Sequence, residues 1–232
     1  MKITINKEVF KKFHPKFKVA FILLKDMDNS SKIQDSYHLL KEAEQLIRLT
    51  FNKDIVKNHH LISPWVSAHQ EFGSKAKHYH TSVERLLKTV LKKREVTSRN
   101  VAANIVNYVS LKHIVPMAVD DYDKLVGRLS FRLADGLEKP SILKVVKPGS
   151  LIYTDLYKGN NLLGTKLDYW KSSRTKLLPS SKNALVHLEC LPPITTKQFN
   201  LIVKEIAGLL KAFTGAKIKR LVLDKNKNSG EI

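Results

Sequence analysis

Apolar and polar residues alternate at the start of the chain and then change to a helical spacing. Residues 1–5 alternate, and a second strand is predicted at 18–24, where the apolar run at 19–24 is typical of a buried strand. From about 31 to 49, apolar residues recur every three or four positions, which predicts a helix. A short helix is predicted from Pro64 to Phe72, with Gly73 just beyond its end.

Two helix starts are predicted in the middle of the chain. Thr81 and Glu84 have the spacing of a capping box and precede an apolar stripe of helical period. Ser98 is a candidate cap for the next helix, whose apolar face runs from Val101 to Val109. We therefore expect consecutive helices over roughly 81–111.

The second half of the chain is richer in strand patterns. Strands are predicted at 129–133, 142–146, 150–153 and 183–188. Thr195 and Gln198 then predict the capped start of a final helix, which Gly215 would end. Residues 224–232 are polar, and we expect them to be disordered.

Helices come mainly before strands instead of alternating with them, which favours an α+β fold over a doubly wound sheet. We expect one domain over residues 1–223, with a helical N-terminal half packed on a β-rich C-terminal half and a C-terminal helix. Residues 224–232 would be a separate polar tail.

Composition indicates a soluble protein. Of the 232 residues, 43% are hydrophobic and 27% are charged, and no apolar run is long enough to cross a bilayer. The first residues have no signal-peptide pattern, and Cys190 is the only cysteine, as expected in a reducing compartment. We expect a cytoplasmic protein without a metal site or a cofactor.

Net charge is the one extreme property of the composition. There are 41 Lys and Arg residues against 21 Asp and Glu, which gives a formal charge of +20. This excess favours a polyanionic partner such as RNA, although a general surplus of lysine would give the same number. A membrane surface is disfavoured, because no segment joins a basic face to a bulky apolar one. The candidate RNA-binding residues are Arg85, Lys88, Lys92, Lys93, Arg94, Lys171, Arg174 and Lys176.

A further signal is the order of short motifs around residues 104–133. Asn107-Tyr108-Val109-Ser110-Leu111, then Pro116, then Asp121-Tyr122-Asp123-Lys124-Leu125-Val126-Gly127 precede an alternating strand that contains Arg132. This order resembles the B3/B4 domain of the phenylalanyl-tRNA synthetase beta subunit, and the likeness to free-standing B3/B4 proteins is closer. Five other blocks match in the family order, at 71–73, 81–87, 148–155, 169–176 and 183–189.

The resemblance implies a pocket between the helical and β halves that admits the 3′ end of an aminoacyl-tRNA. It implies ester hydrolysis of a wrongly attached amino acid, with Glu189 as the catalytic carboxylate. Two positions depart from the synthetase motif: Val106 stands where it has Thr, and Ala118 where it has His. We therefore expect a more apolar pocket and a preference for amino acids other than tyrosine.

Each pocket candidate also has a structural explanation. Glu189 would either orient a water or lie at the rim of a strand. Asn107 would either contact substrate or, as the more common case, bind backbone groups. Asp121 in its acidic turn is more typical of a local cap than of an acid or base.

Aromatic, thiol and imidazole side chains likewise have both functional and structural explanations. Trp170 would stack on a base or pack in the core. Cys190 is interpreted as an inert strand residue, since no orienting acid is evident nearby. His59 with His60, and the pair His78 and His80, have no third ligand at a suitable spacing, so no metal is assigned.

Three functions remain open at this point. The leading hypothesis is a free-standing tRNA-binding hydrolase that deacylates mischarged aminoacyl-tRNA, with a synthetase or the translation machinery as a further partner. The second is a tRNA- or RNA-binding module without hydrolytic activity. The third is a hydrolase of small amino-acid esters or amides that does not bind RNA, which the basic surface disfavours.

Overall fold

A computed structural model of the protein describes residues 1–70, 81–138, 146, 148–156, 161–165 and 170–232. The helices are α1 (Ile33–Thr50), α2 (Ser63–Gln70), α3 (Ser82–Leu91), α4 (Val101–His113) and α5 (Thr196–Thr214). The strands are β1 (Lys2–Ile5), β2 (Lys18–Lys25), β3 (Met117–Asp121), β4 (Leu129–Leu133), β5 (Leu151–Asp155), β6 (Asn161–Thr165), β7 (Trp170–Lys171), β8 (Ala184–Cys190), β9 (Lys217–Leu223) and β10 (Ser229–Glu231).

The predicted α+β class is confirmed, and the strands form two sheets. A six-stranded sheet has the order β10-β1-β4-β5-β6-β7, and a four-stranded sheet has the order β3-β8-β2-β9. Apolar residues of β1, β2, β4, β5 and β8 form the core between the sheets. On its other face, the four-stranded sheet packs against α4 and α5, while α1 and α3 add a further cluster outside α4.

Strand β2 explains why the two sheets form one unit. It lies in the middle of the four-stranded sheet and pairs antiparallel with both β8 and β9. Because side chains alternate along a strand, Phe21 and Leu23 enter the core between the sheets, while Ile22 and Leu24 enter the core under the helices. Both faces of β2 are therefore apolar, as its sequence requires.

Local capping signals correctly predicted the starts of α3 and α5 but not the cap of α4. Thr195 and Gln198 form the predicted capping box of α5, and Gly215 ends that helix at φ 67°. Thr81 caps α3 by accepting from the Glu84 N–H. For α4, however, the cap is Asn100, whose side chain accepts from the Ala103 N–H, so the prediction of Ser98 was wrong.

Several strands differ from the prediction. Most of the predicted strand at 142–146 falls outside the described residues, as do Phe72 and Gly73. Strands β3, β6, β7, β9 and β10 were not predicted. The expected disorder of the tail was wrong, because β10 pairs antiparallel with β1. The main-chain groups of the first and last residues also meet, with the Met1 amino group 2.8 Å from the Ile232 oxygen.

Candidate functional site

β3 is an edge strand of the four-stranded sheet, and its outer edge contacts α3 and β7. The Met117 N–H donates to Ser82 Oγ of α3 at 3.2 Å. The Val119 carbonyl accepts from Lys171 Nζ of β7, also at 3.2 Å. Because these two residues turn their backbone groups away from β8, the edge of β3 is presented to α3 and to the second sheet.

A cavity of about 160 Å³ lies along this edge. We call it the β3-edge cavity. Its walls come from α3, α4, β3 and β7. The described residues that line it are Ser82, Arg85, Leu86, Ala103, Val106, Asn107, Met117, Ala118, Val119 and Lys171.

Three of the predicted pocket residues, Val106, Asn107 and Ala118, line this cavity. Val106 and Ala118 are buried, and they make two of its walls apolar. The Asn107 amide nitrogen donates to the Val96 carbonyl at 2.9 Å, so this side chain also holds the segment before α4. Two residues predicted to bind RNA, Arg85 and Lys171, complete the polar part of the lining.

Glu189 does not line the β3-edge cavity. It is completely buried on β8, where its Oε1 lies 2.6 Å from Nδ1 of the equally buried His187. His187 is the cross-strand partner of Ala118, and the rings of Phe21, Phe131 and Tyr153 lie around its imidazole. The carboxylate and imidazole pair therefore lies behind the Ala118 wall of the cavity.

Asp120 connects this buried pair to the cavity. Its carboxylate is fully buried and accepts from the Thr175 hydroxyl at 2.6 Å. The second oxygen lies 2.9 Å from Lys171 Nζ and 3.8 Å from His187 Nε2. Sequence reasoning did not identify Asp120 or His187 as site residues. The partners of Asp120 lie more than fifty residues later in the chain, and although Glu189 is only two residues from His187, no sequence pattern shows that the two side chains meet.

Other predicted site residues lie elsewhere. Asp121 accepts from the Asp123 N–H and the Ser181 hydroxyl, at 3.2 and 2.7 Å, and so fixes a turn outside the cavity. Arg174 forms an ion pair with the buried carboxylate of Asp155 and donates to the Lys124 carbonyl. The side chain of Trp170 lies outside the described part of the chain.

The predicted RNA-binding residues divide into two groups. Arg85, Lys92, Lys93, Arg94 and Lys176 are exposed. Lys88, Lys171 and Arg174 are largely buried in ion pairs with Glu84, Asp120 and Asp155. The exposed group provides cations that an RNA phosphate could reach, whereas the second group is held by internal carboxylates.

Two larger grooves contain none of the predicted site residues. One, of about 420 Å³, lies between the end of α4 and the start of α5 and includes His60, Lys112 and His113. Another, of about 540 Å³, lies where β2 and β8 meet the first turn of α5. Within the described ranges, no three His, Cys, Asp or Glu side chains are grouped so as to hold a metal ion. In the same ranges, no helix combines the length and apolar character needed to cross a bilayer.

Cys190 is expected to resist thiol reagents in the folded protein. Burial raises the pKa of its thiol to about 12, so at pH 8 only about one molecule in 10⁴ would carry the reactive thiolate. We expect slow modification by an aromatic disulfide reagent under native conditions and rapid modification in denaturant, followed by absorbance. Equal rates in the two conditions would contradict this burial.

Comparison with known proteins gives a family and a structural similarity. No curated protein matches the sequence. An N-terminal fragment of the phenylalanyl-tRNA synthetase beta-subunit from Pyrococcus horikoshii aligns at a TM-score of 0.48 and 10% identity. The alignment covers 95% of this chain and 53% of that fragment, so the chain spans about half the fragment's length.

The family model described as the B3/4 domain matches residues 65–205. This range is more than half of the chain, and it runs from α2 into α5, so it includes every described residue that lines the β3-edge cavity. The chain therefore belongs to the B3/4 domain family.

Proposed function

We propose that this protein binds aminoacyl-tRNA and hydrolyses the ester of a wrongly attached amino acid in the β3-edge cavity. The observation that carries the proposal is the grouping of Val106, Asn107 and Ala118 with two cations, Arg85 and Lys171, around one cavity. The three pocket residues lie at positions of the motifs that resemble the B3/B4 domain, and the charge of +20 favours a polyanionic partner.

The size of the cavity supports an aminoacyl group as its occupant. A volume of about 160 Å³ corresponds to roughly five water molecules at about 30 Å³ each. This space suits one amino-acid side chain. The RNA would remain outside, near the exposed Arg85, Lys92, Lys93 and Arg94.

The lining supports an apolar aminoacyl group. Leu86, Ala103, Val106 and Met117 offer hydrocarbon surface. A phenol hydroxyl buried against these residues would need a hydrogen-bond partner, which Val106 and Ala118 do not provide. The partner would have to come from the polar side chains of the lining, Ser82, Arg85, Asn107 or Lys171. We therefore propose that tyrosine is not the preferred group.

In this proposal, Glu189 acts by positioning and not by direct contact with substrate. Its hydrogen bond to His187 holds the imidazole behind Ala118 and beside Asp120. Hydrolysis itself needs a positioned water and donors for the developing oxyanion, so no side-chain nucleophile is required.

Filling the cavity tests the assignment. Ala103 is half-buried on α4 and lines the cavity, so Ala103→Phe should occupy the proposed aminoacyl site. We expect a loss of at least tenfold in the deacylation rate on a panel of mischarged tRNAs, with little change in tRNA affinity. Release of labelled amino acid measures the first quantity, and filter binding measures the second.

Ala212→Phe is the matched control. Ala212 is exposed on α5 and does not line the cavity, so the same substitution should leave the rate unchanged. Full activity of Ala103→Phe would place the reaction elsewhere. Faster hydrolysis of tyrosyl-tRNA than of tRNAs carrying apolar amino acids would contradict the apolar pocket.

One observation favours a second candidate function, a tRNA-binding module without hydrolysis. The carboxylate expected to catalyse, Glu189, is completely buried and does not line the cavity. Both candidates predict RNA binding that weakens steeply with salt, since phosphate contacts release counterions. Only turnover distinguishes them: absence of deacylation across the whole panel, with RNA binding retained, would favour the module.

A further inference from the structure

Lys171 is held in an unusual position for a lysine. Only 23% of its side chain is exposed, and its ammonium group lies 2.9 Å from Asp120 Oδ2 and 3.2 Å from the Val119 carbonyl oxygen. The same side chain lines the β3-edge cavity. A lysine that serves only to attract RNA phosphates would instead extend into solvent.

Asp120 holds the Lys171 ammonium in place through an ion pair. Its carboxylate is fully buried, and the Thr175 hydroxyl occupies its other oxygen at 2.6 Å. Val119 belongs to the same strand as Asp120, so both acceptors of Lys171 are held by β3. The ammonium position is therefore determined by the sheet and not by a mobile surface loop.

The Lys171 ammonium has an N–H donor left for a ligand. A lysine ammonium has three N–H donors. Among the described residues it donates a hydrogen bond to the Val119 carbonyl and forms an ion pair with Asp120, so at most two donors are directed at the protein. The side chain lies against the cavity, whose other walls are largely apolar. Where a bound aminoacyl group displaces water from the cavity, this cation would attract an oxygen that carries negative charge more strongly than it does in water.

We propose that Lys171 is a catalytic residue that donates to the carbonyl oxygen of the aminoacyl ester and stabilises the oxyanion. This inference rests on the proposed function. Water adds through its oxygen to the carbonyl carbon, and the carbonyl electron pair moves to the oxygen that Lys171 contacts. Collapse of this intermediate breaks the bond to the ribose oxygen, which takes the proton that the water loses. The products are the free amino acid and deacylated tRNA.

Asp120 is a positioning residue in this scheme, because it acts only through the lysine. Its carboxylate also partly neutralises the ammonium, so Lys171 would act as an oriented donor more than as a free charge. In this scheme, Lys171 acts in the chemical step. The exposed cations Lys92, Lys93 and Arg94 would instead affect RNA affinity.

The test is single-turnover deacylation by Lys171→Met, together with the double variant D120N/K171M. The double variant removes both charges, so it does not leave a buried carboxylate without its cation. We expect both variants to lose about 10²-fold in rate, with tRNA affinity changed less than about twofold. Lys11→Met is the matched control, since Lys11 is exposed and does not line the cavity, and it should retain the full rate.

A second measurement separates this inference from the proposed function. A 3′-aminoacylamido adenosine, which cannot be hydrolysed, is titrated into each protein by calorimetry. We expect the wild-type protein to bind it and D120N/K171M to bind at least tenfold more weakly. If the wild-type protein deacylates tRNA and D120N/K171M does so equally fast, the role of Lys171 is overturned while the proposed function stands.

If the wild-type protein deacylates no substrate, the proposed function fails. Binding of the 3′-aminoacylamido adenosine then tests whether Lys171 contacts a ligand. Equal binding by the two proteins, or no binding by either, overturns that role as well.

Discussion

Replacing Phe131 by alanine is expected to lower the free energy of unfolding by about 3–5 kcal/mol. The ring is buried between the two sheets and meets the rings of Phe17, Phe21, Tyr153 and His187, with centroids 4.9–6.3 Å away. Alanine would leave a cavity where the sheets pack against each other, and such a rigid site collapses only partly. Urea unfolding followed by circular dichroism measures the loss.

Leu49→Ala is the control for this effect. Leu49 is 85% exposed on α1, so its truncation should change stability by no more than about 0.5 kcal/mol. A loss below about 1 kcal/mol for Phe131→Ala would mean that the core between the sheets is not packed as described.

Replacing Lys171 by methionine is expected to lower the free energy of unfolding by about 3 kcal/mol. The substitution keeps most of the volume but leaves the fully buried Asp120 carboxylate with the Thr175 hydroxyl and without its cation. Values up to about 5 kcal/mol are known for broken buried pairs. Because Lys171 is 23% exposed, water can reach part of the pair, and we expect the lower end. Chemical denaturation measures the change.

The double variant D120N/K171M provides the decisive comparison. Asparagine can still accept from Thr175 but carries no charge, so the double variant should recover most of the stability lost by Lys171→Met. If the single and double variants are equally unstable, the cost arises from lost packing of the lysine stem and not from an unpaired carboxylate.

Helix α5 shows which parts of the fold can be predicted from sequence. Its start depends on Thr195 and Gln198, three residues apart, and its end depends on Gly215 at a positive φ. These signals act between near neighbours, so a single stretch of sequence contains all the necessary information. The apolar stripe between them fixes which face meets the sheet.

Strands β9 and β10 show which parts of the fold cannot be predicted from local sequence patterns. Alternation in β9 is masked by its basic residues, Lys217, Lys219 and Arg220, which are exposed at a sheet edge. The sequence of β10 has no strand preference, and backbone pairing with β1 determines its conformation. Such pairing depends on residues far away in the chain, which a local pattern cannot reveal.

The candidate site also contains residues that the sequence predicts and residues that it does not. Val106, Asn107 and Ala118 follow from the motif order, and the fold does bring them together. The acidic turn motif pointed to Asp121, whereas its neighbour Asp120 forms an ion pair with Lys171 and accepts from Thr175, both more than fifty residues later in the chain. Likewise, the depth of Glu189 follows from the packing of two sheets and not from its position near the end of a strand.

The contact between Met1 and Ile232 has a consequence for the order of folding. Strand β1 pairs with β10 across a separation of nearly the whole chain, whereas β4 and β5 are close in sequence. Loop-closure entropy opposes the most distant pairing most strongly, so the β1–β10 pair should form among the last. Until it forms, one edge of β1 has unpaired N–H and C=O groups, and a second unfolded chain could add a strand there. Aggregation during refolding would then begin at β1, although the completed fold covers that edge.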